Sequence, residues 1–371
     1  MEQHKKKPTL WSNVKALFFG VLVSLLLIEL LLRAFHPIPF RVKHGKIVLP
    51  ANQHITHKNP QSNKLEHIIS YSRNSLGLRG EEMPAKQNEW IKIITIGGST
   101  TECSYNSDSL TWPELLKNKL RKRVAPNIWI NNAGLDGTST FGHIILLKDH
   151  IVNLHPDYVI FLTGVNDMEE KAMGGFDTYH SDEWDTKSIK GFLRTLILKT
   201  EIGALIENLY RSRIAYRKGL THREVNYAKA NRIVLDSVAI SIEVDAQSEY
   251  LSAYRKRILT LDSICEANNI KAIFLTQPSL FASFTDTPTG LDFTTLEITT
   301  GRNAVTQGKI LQRYNDVLLQ LASEGKIKTI NLALAMPKDS RYFYDYTHYT
   351  SVGTKIVAQI VCDSIQTIIA H

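Results

Sequence analysis

The sequence predicts an α/β protein with a doubly wound, five-stranded parallel sheet that carries helices on both faces. Short β-branched runs alternate with segments of helical spacing along residues 91–371, which is typical of a parallel sheet with crossover helices. A nearly unbroken apolar run, Ala16–Leu32, predicts a transmembrane helix before this region. About 100 residues between Asp167 and Lys271 are too many for a plain connection and predict a helical insertion.

The composition favours a globular protein with an ordinary core. The 371 residues are 43% hydrophobic and 22% charged, with a net charge of +8. Cys103, Cys265 and Cys362 are widely spaced and form no CxxC, zinc or disulfide pattern. No nucleic-acid motif accompanies the basic charge, and the sequence predicts no cofactor and no metal.

The N-terminal region is predicted to hold the protein in a membrane. Residues 1–12 form a basic tail and 13–35 an anchor, in which Glu29 is near the far end and could reach the headgroups. A cleaved signal peptide is the alternative, but no small-residue cleavage site follows the apolar run. The positive-inside rule places the tail in the cytoplasm. We therefore expect a single-pass protein whose residues from about 36 onward are extracytoplasmic, in the cell envelope.

The chain then passes through a linker and entry segment, residues 36–90, before the sheet begins. At its end Tyr71–Gly80, with the sequence YSRNSLGLRG, is expected to pack beside the core as a hairpin or loop. Ile91–Ile96 predicts the first buried strand, Gly97 and Gly98 break the pattern, and helical spacing begins at Leu110.

The later elements follow the same alternation, and together they predict a flavodoxin-like sheet. The predicted strands are 128–132, 157–163, 271–276 and 327–332, and the predicted helices are 141–154, 303–323 and 351–370.

The insertion, about 171–250, has a helical pattern and a local basic excess. The apolar residues that we expect on one helical face are Ile197, Ile202, Leu205, Ile206 and Leu209. The basic cluster consists of Arg211, Arg213, Arg217 and Lys218. One interpretation is a solvated helical cap. The other is a segment that lies over a functional site and meets an anionic lipid surface or glycan.

Polar residues occur where the predicted strands end. Ser99 follows the first strand, Gly137 lies in the loop after the second and Asn166 follows the third. Asp345 and His348 come after the fifth strand, just before the last helix. Since ligands bind at the carboxyl ends of strands in open α/β sheets, these residues are expected to meet at one edge.

This set contains the parts of a serine hydrolase. A serine hydroxyl needs a base to take its proton, a role for His348, and a carboxylate such as Asp345 fixes the histidine tautomer. The developing oxyanion needs donors, which the N–H groups of Ser99 and Gly137 and the side-chain amide of Asn166 could supply. Asp167, Glu169 and Glu170 are interpreted as a solvated loop and not as a metal site.

These motifs resemble those of the SGNH hydrolases, also called the GDSL esterase/lipase superfamily. The resemblance covers roughly residues 90–170 and 270–370. It implies catalytic roles for Ser99, Asp345 and His348, and an oxyanion hole that includes Gly137 and Asn166. Gly137 is preferred to Gly134 because the family's glycine lies a few residues past the second strand.

The first motif departs from the usual Gly-Asp-Ser-Leu, since it reads Gly97-Gly-Ser-Thr. That version, together with SRNSLGLRG and TWPELL, resembles a membrane-anchored bacterial branch.

The resemblance implies a serine esterase that removes an acyl group, with acetyl favoured, from a carbohydrate or lipid ester. The alternatives are an O-acyltransferase that modifies an envelope polysaccharide with the same site, or a non-catalytic envelope scaffold. The expected partners are the acyl-ester substrate and the membrane, and not a nucleic acid; the oligomeric state is left open.

Overall fold

The computed structural model describes six segments of the chain, residues 10–35, 40–43, 46–60, 62–170, 188–217 and 224–369. The chain divides into two compact units. The first lies within residues 1–48 and 180–214, and the second within 49–179 and 215–371.

The helices and strands alternate along the second unit, whereas the described residues of the first unit are mainly helical. The helices are α1 (Leu10–Phe35), α2 (Ser99–Glu102), α3 (Trp112–Arg123), α4 (Thr140–Leu146), α5 (Ile189–Leu198), α6 (Glu201–Arg217), α7 (Ser237–Asp245), α8 (Ser248–Ala267), α9 (Ala304–Ser323), α10 (Leu332–Ala335) and α11 (Ser351–Ile369). The strands are β1 (Val42–Lys43), β2 (Lys46–Ile47), β3 (Gln53–Lys58), β4 (Ile68–Arg73), β5 (Ile91–Gly97), β6 (Ile128–Asn132), β7 (Tyr158–Leu162), β8 (Lys271–Leu275), β9 (Glu297–Thr299), β10 (Arg302–Asn303) and β11 (Lys328–Ile330).

The central sheet has five parallel strands in the order β6-β5-β7-β8-β11. The predicted doubly wound, five-stranded parallel sheet is thus confirmed. The order corresponds to 2-1-3-4-5, in which the direction of winding reverses between β5 and β7. Sites in open α/β sheets form outside the carboxyl ends of strands at this switch point. The fold therefore predicts a functional site at the loops after β5 and β7.

Each strand of the sheet sends alternate side chains to opposite faces. On one face Ile93, Ile160 and Ile273 join a buried cluster with Leu116 of α3 and Val361 of α11. α11 is long and apolar enough to cross a membrane by length and composition, but its buried side chains make it a core helix.

The opposite face carries Phe161 and Phe274 from neighbouring strands, whose rings stack with centroids 5.0 Å apart. α8 packs there against both α4 and α9. The predicted helix 141–154 is α4 followed by a π turn and a 3-10 turn that end at Leu154.

The first unit contains the apolar helix α1, which has 26 residues and no buried side chain. Near its C-terminal end the Glu29 carboxylate accepts hydrogen bonds from the backbone N–H groups of Glu201 and Ile202, both at 3.0 Å. A carboxylate suits this position because the first N–H groups of a helix lack intrahelical acceptors. Glu29 thus joins α1 to the start of α6.

The insertion is helical, as predicted, within its described residues, but the single apolar face is wrong. The pattern spans two helices, because the chain turns at Lys199 and Thr200 between α5 and α6. Thr200 makes the break: its Oγ1 accepts from the Gly203 N–H at 2.9 Å and donates to the Ile197 carbonyl at 2.6 Å. Residues 171–187 and 218–223 lie outside the described residues.

Candidate active site

The predicted nucleophile lies directly after the central strand. Ser99 begins the short helix α2 and is 7% exposed. Neither Gly97 nor Gly98 adopts a positive φ, so a left-handed backbone is not what requires glycine at these positions. Crowding explains Gly98 instead, because a Cβ there would collide with the side-chain amide of Asn166. An aspartate at this position, as in Gly-Asp-Ser-Leu, would displace the Asn166 amide.

A continuous series of hydrogen bonds links Ser99 to His348 and Asp345. The Ser99 Oγ lies 2.6 Å from His348 Nε2, and His348 Nδ1 lies 2.6 Å from Asp345 Oδ2. The other carboxylate oxygen of Asp345 accepts the backbone N–H groups of Thr347 and His348, at 2.9 and 2.8 Å. The Asp-x-x-His spacing therefore forms a turn in which the carboxylate fixes both the backbone and the ring.

The environment keeps Asp345 ionised. Burial raises the pKa of its carboxyl, but the charge and hydrogen bond of His348 and the N–H groups of Thr347 and His348 outweigh this, so the net pKa lies below its ordinary value. The Tyr344 ring stacks on the imidazole, with centroids 5.5 Å apart and an interplanar angle of 13°. The imidazole is thus held at its Nδ1 atom and across its face.

The predicted oxyanion donors lie on the loops that follow β6 and β7. Gly137 adopts a φ of +69°, which favours glycine, in a turn closed by the Thr138 N–H and the Leu135 carbonyl at 3.2 Å. Asn166 lies in a 3-10 turn after β7, and its Nδ2 donates to the Thr138 carbonyl at 3.1 Å. The Asn166 amide thus contacts both the Gly137 loop and the turn that precedes Ser99.

Asp167 was expected in a solvated loop, and that expectation is wrong. Its side chain is buried, and Oδ1 accepts the Thr140 N–H at 3.0 Å and the Arg257 guanidinium at 3.3 Å. Oδ2 accepts the Gly164 N–H at 3.2 Å. Asn166 lies in the same turn as Asp167. The Asp167 carboxylate therefore attaches this turn to the start of α4.

Glu102, at the end of α2, is a buried carboxylate that the sequence alone did not single out. Its Oε1 accepts from Arg73 Nη2 at 2.8 Å and from the Tyr71 hydroxyl at 2.9 Å. Its Oε2 accepts the Asp136 N–H at 2.5 Å, in the residue before Gly137. Glu102 thus connects α2, the helix that Ser99 begins, to the glycine loop.

The entry segment provides both arginines of this network. Arg79 donates to the carbonyls of Glu102 and Cys103, at 2.5 and 2.9 Å, and to Asp108 at 2.7 Å. Its backbone pairs with Asn132 at the end of β6. The YSRNSLGLRG segment therefore packs beside the core and satisfies carbonyls that follow Ser99. The sequence held one indication of this network: two arginines occur in a segment that was expected to pack on the core.

Two further titratable side chains lie near the nucleophile turn. Cys103 is buried, which raises its pKa to about 12, so it is a protonated thiol near neutral pH. His143 on α4 is 1% exposed, and burial lowers its pKa to about 4. Its ring lies near the backbone of Gly97 and Thr138, but within the described residues neither ring nitrogen has a hydrogen bond of good geometry.

The predicted basic cluster is only partly described. Arg211 lies on α6 with a side chain that is 13% exposed and 3.8 Å from Glu207, whereas Arg213 is exposed. Arg217 ends α6, and Lys218 lies outside the described residues.

Comparison with protein-family models identifies one family. A family model described as "GDSL-like Lipase/Acylhydrolase family" matches residues 95–356. No curated protein matches.

Similar solved structures include the acetylxylan esterase Axe2 from Geobacillus stearothermophilus, at 14% identity, covering 74% of this chain and 93% of that one, with a TM-score of 0.42. A lipolytic protein of the G-D-S-L family from Desulfitobacterium hafniense is 12% identical, covers 74% and 98%, and has a TM-score of 0.40. An acylhydrolase from Bacteroides fragilis is 15% identical, covers 78% and 92%, and has a TM-score of 0.40.

Proposed function

We propose that this chain, which belongs to the GDSL-like lipase/acylhydrolase family of ester-hydrolysing enzymes, is a membrane-anchored serine esterase. It removes a short acyl group, acetyl first of all, from a carbohydrate or lipid ester. The observation that carries the proposal is the series Ser99 Oγ–His348 Nε2 and His348 Nδ1–Asp345 Oδ2, with both separations at 2.6 Å.

The reaction begins with proton transfer from the Ser99 hydroxyl to His348 Nε2. Ser99 Oγ then bonds to the ester carbonyl carbon, and the carbonyl oxygen becomes an oxyanion. Asp345, held ionised, stabilises the imidazolium. As the intermediate collapses, the C–O bond to the alcohol breaks and His348 returns the proton to the leaving oxygen. Water, activated by the same histidine, releases the acid from the acyl-enzyme.

The oxyanion is stabilised by the N–H groups of Ser99 and Gly137 and by the Asn166 side chain. An amide nitrogen carries two hydrogens. One hydrogen of Asn166 Nδ2 bonds to the Thr138 carbonyl, which fixes the plane of the amide, and the other is assigned to the substrate. Fixed donors of this kind lower the barrier because they need no reorganisation during the reaction.

The anchor is α1, retained in the mature protein with the catalytic domain outside the cytoplasm. Its 26 residues rise about 39 Å at 1.5 Å each, enough for a hydrocarbon core of about 30 Å. The hydrogen bonds from Glu201 and Ile202 to Glu29 support retention, because cleavage of a signal peptide after α1 would leave these N–H groups without that carboxylate.

The test is product analysis with the full-length protein in detergent and aryl esters of increasing acyl length. We expect hydrolysis that is fastest for acetate and that Ser99→Ala lowers on the order of 10⁶-fold. Ser323→Ala, which alters an exposed serine on α9, is the matched control and should retain full activity.

A turnover of Ser99→Ala equal to that of the parent enzyme would overturn the assignment of Ser99 as the nucleophile. Addition of a sugar acceptor to the assay tests the alternative function, acyl transfer. An acylated sugar in place of free acid would identify a transferase with the same acyl-enzyme.

A further inference from the structure

Two helices of the insertion, α5 and α6, expose apolar side chains that the proposed esterase function does not use. We call this set of side chains the hairpin face. Its members, each 50–82% exposed, are Ile189, Phe192, Leu193, Leu196 and Ile197 on α5 and Ile206, Leu209 and Tyr210 on α6. Large contiguous apolar surfaces on a protein indicate an interaction with a protein, a membrane or a ligand.

The pattern on α5 is that of an amphipathic helix whose apolar stripe faces outward. The five residues recur at i, i+3, i+4, i+7 and i+8, the spacing that normally faces a protein core. Here Leu198 at the end of α5 and Ala204 on α6 are buried, while the stripe itself is exposed. The three α6 residues repeat the arrangement at i, i+3 and i+4. The hairpin face therefore needs a partner.

Its attachment to α1 indicates which partner. The Glu29 carboxylate binds the first N–H groups of α6, so α6 begins beside a point six residues before the end of α1 at Phe35. Six residues of helix rise about 9 Å. Because α1 exceeds the thickness of the hydrocarbon core, this point lies near the headgroup boundary.

Two further contacts attach the hairpin to the segment that leaves α1. Lys43 pairs with Glu201 at 2.5 Å, and Asn208 Nδ2 donates to the Val42 carbonyl at 2.8 Å. Arg213 is exposed on α6 at i+7 from Ile206, where a long cationic side chain can reach phosphate headgroups. These contacts hold the start of α6 close to the end of α1 and to the segment that leaves it.

We propose that the hairpin α5–α6 is a second membrane contact, whose apolar face lies in the boundary between headgroups and acyl chains on the side of the bilayer where α1 ends. Amphipathic helices occupy this boundary with their apolar side chains about 5–10 Å deep. The proposal rests on the membrane-anchored part of the proposed function. It assigns the outward apolar residues to lipid and leaves the chemistry at Ser99 unchanged.

The test measures the depth of nitroxide labels on the full-length protein in phosphatidylcholine vesicles. Single cysteines replace Leu193 and Leu209 on the hairpin face, Leu22 in the middle of α1, and Ser212, an exposed polar residue of α6, as the matched control. The three native cysteines are buried and will not compete for the label. Collisions are measured with oxygen, which partitions into lipid, and with a nickel chelate present on both sides of the membrane.

We expect the ratio of oxygen to nickel collisions to be several-fold higher at Leu193→Cys and Leu209→Cys than at Ser212→Cys. Equal ratios at these three positions, with Leu22→Cys in lipid, would overturn the proposal and leave the anchor intact. A label at Leu22→Cys in water would overturn both. Low collision rates with both nickel and oxygen would show that protein covers the hairpin face, either another protein or a second copy of this chain. That result would overturn lipid as the partner.

Hydrolysis of an aryl acetate is measured in the same vesicles. The labelled positions lie outside the catalytic machinery, so activity is expected to equal that of the unlabelled protein. Absence of hydrolysis by the unlabelled protein would contradict the proposed esterase function while leaving the depth measurements valid.

Discussion

Asn166 occupies a position at which the Gly98 turn, the Gly137 loop and the end of β7 approach one another. Asn166→Ala removes one oxyanion donor and should lower kcat about 10²- to 10³-fold, equivalent to about 2.7–4 kcal/mol, because the donor acts mainly in the transition state. KM should change little. Steady-state kinetics with an aryl acetate measure both constants.

Asn153→Ala, at an exposed asparagine, is the control for that variant. If Asn166→Ala raises only KM, Asn166 binds substrate in the ground state and the oxyanion is stabilised elsewhere.

Glu102 acts as a positioning residue for the Gly137 loop. Glutamine at this position has one carbonyl oxygen, so it cannot accept both from Arg73 and Tyr71 and from the Asp136 N–H. Glu102→Gln should lower the free energy of unfolding by about 3–5 kcal/mol, as expected when a buried ion pair loses one partner. It should also lower kcat at temperatures where the variant is folded.

Thermal denaturation and kinetics on the same samples separate these two effects. Glu82→Gln, at an exposed carboxylate, should change neither quantity. A folded Glu102→Gln variant with the kcat of the parent enzyme would restrict Glu102 to a structural role.

At the scale of single elements, α4 makes folding stability depend on pH. Burial lowers the pKa of His143 from 6.5 to about 4, so between these values the unfolded chain binds a proton that the folded chain does not. Its contribution is complete above pH 6.5 and is lost as the pH falls toward 4, by about 3 kcal/mol in total. His143→Gln should reduce the difference in unfolding free energy between pH 7 and pH 4.5.

Urea denaturation at the two pH values measures that difference. His155→Asn, at an exposed residue with a positive φ that asparagine tolerates, is the control. Identical pH dependence in the parent and the His143→Gln protein would contradict the account of α4.

The strands of the sheet were predictable because the residue types within each segment all favour a buried strand. Ile91–Gly97 is mostly β-branched and ends in glycine, and Tyr158–Leu162 is aromatic and aliphatic and is followed by a threonine, so pattern and burial agree. The polar residues of the candidate site could be grouped from the sequence because parallel strands bring their carboxyl ends to one edge. The Asp345–His348 pair followed from its spacing before the last helix.

The parts that were missed depend on contacts between distant segments. Glu102 is ordinary in the sequence, and its importance comes from Arg73, 29 residues earlier, and from Asp136, 34 residues later. The outward stripe of α5 has the same spacing as a buried one, so periodicity could not reveal its direction. The turn at Thr200 interrupts an apolar pattern that reads as continuous.

For the whole molecule, the proposed topology predicts where a reporter fused after His371 is active. Alkaline phosphatase, which needs an oxidising compartment, should be active there, and a reporter that requires the cytoplasm should be inactive. The physical reason is that the basic tail of residues 1–12 stays in the cytoplasm while α1 crosses the membrane. Activity of the cytoplasmic reporter alone would reverse the orientation.

The central claim is that Ser99 is the nucleophile of an enzyme that forms an acyl-enzyme. It is tested most directly by intact-mass and peptide analysis of the full-length protein after reaction with an organophosphonate that mimics the acylation transition state. We predict one adduct per chain, located on Ser99, that is absent in Ser99→Ala and forms far more slowly in His348→Ala. An adduct on any other residue, or equal labelling of Ser99→Ala, would contradict the account.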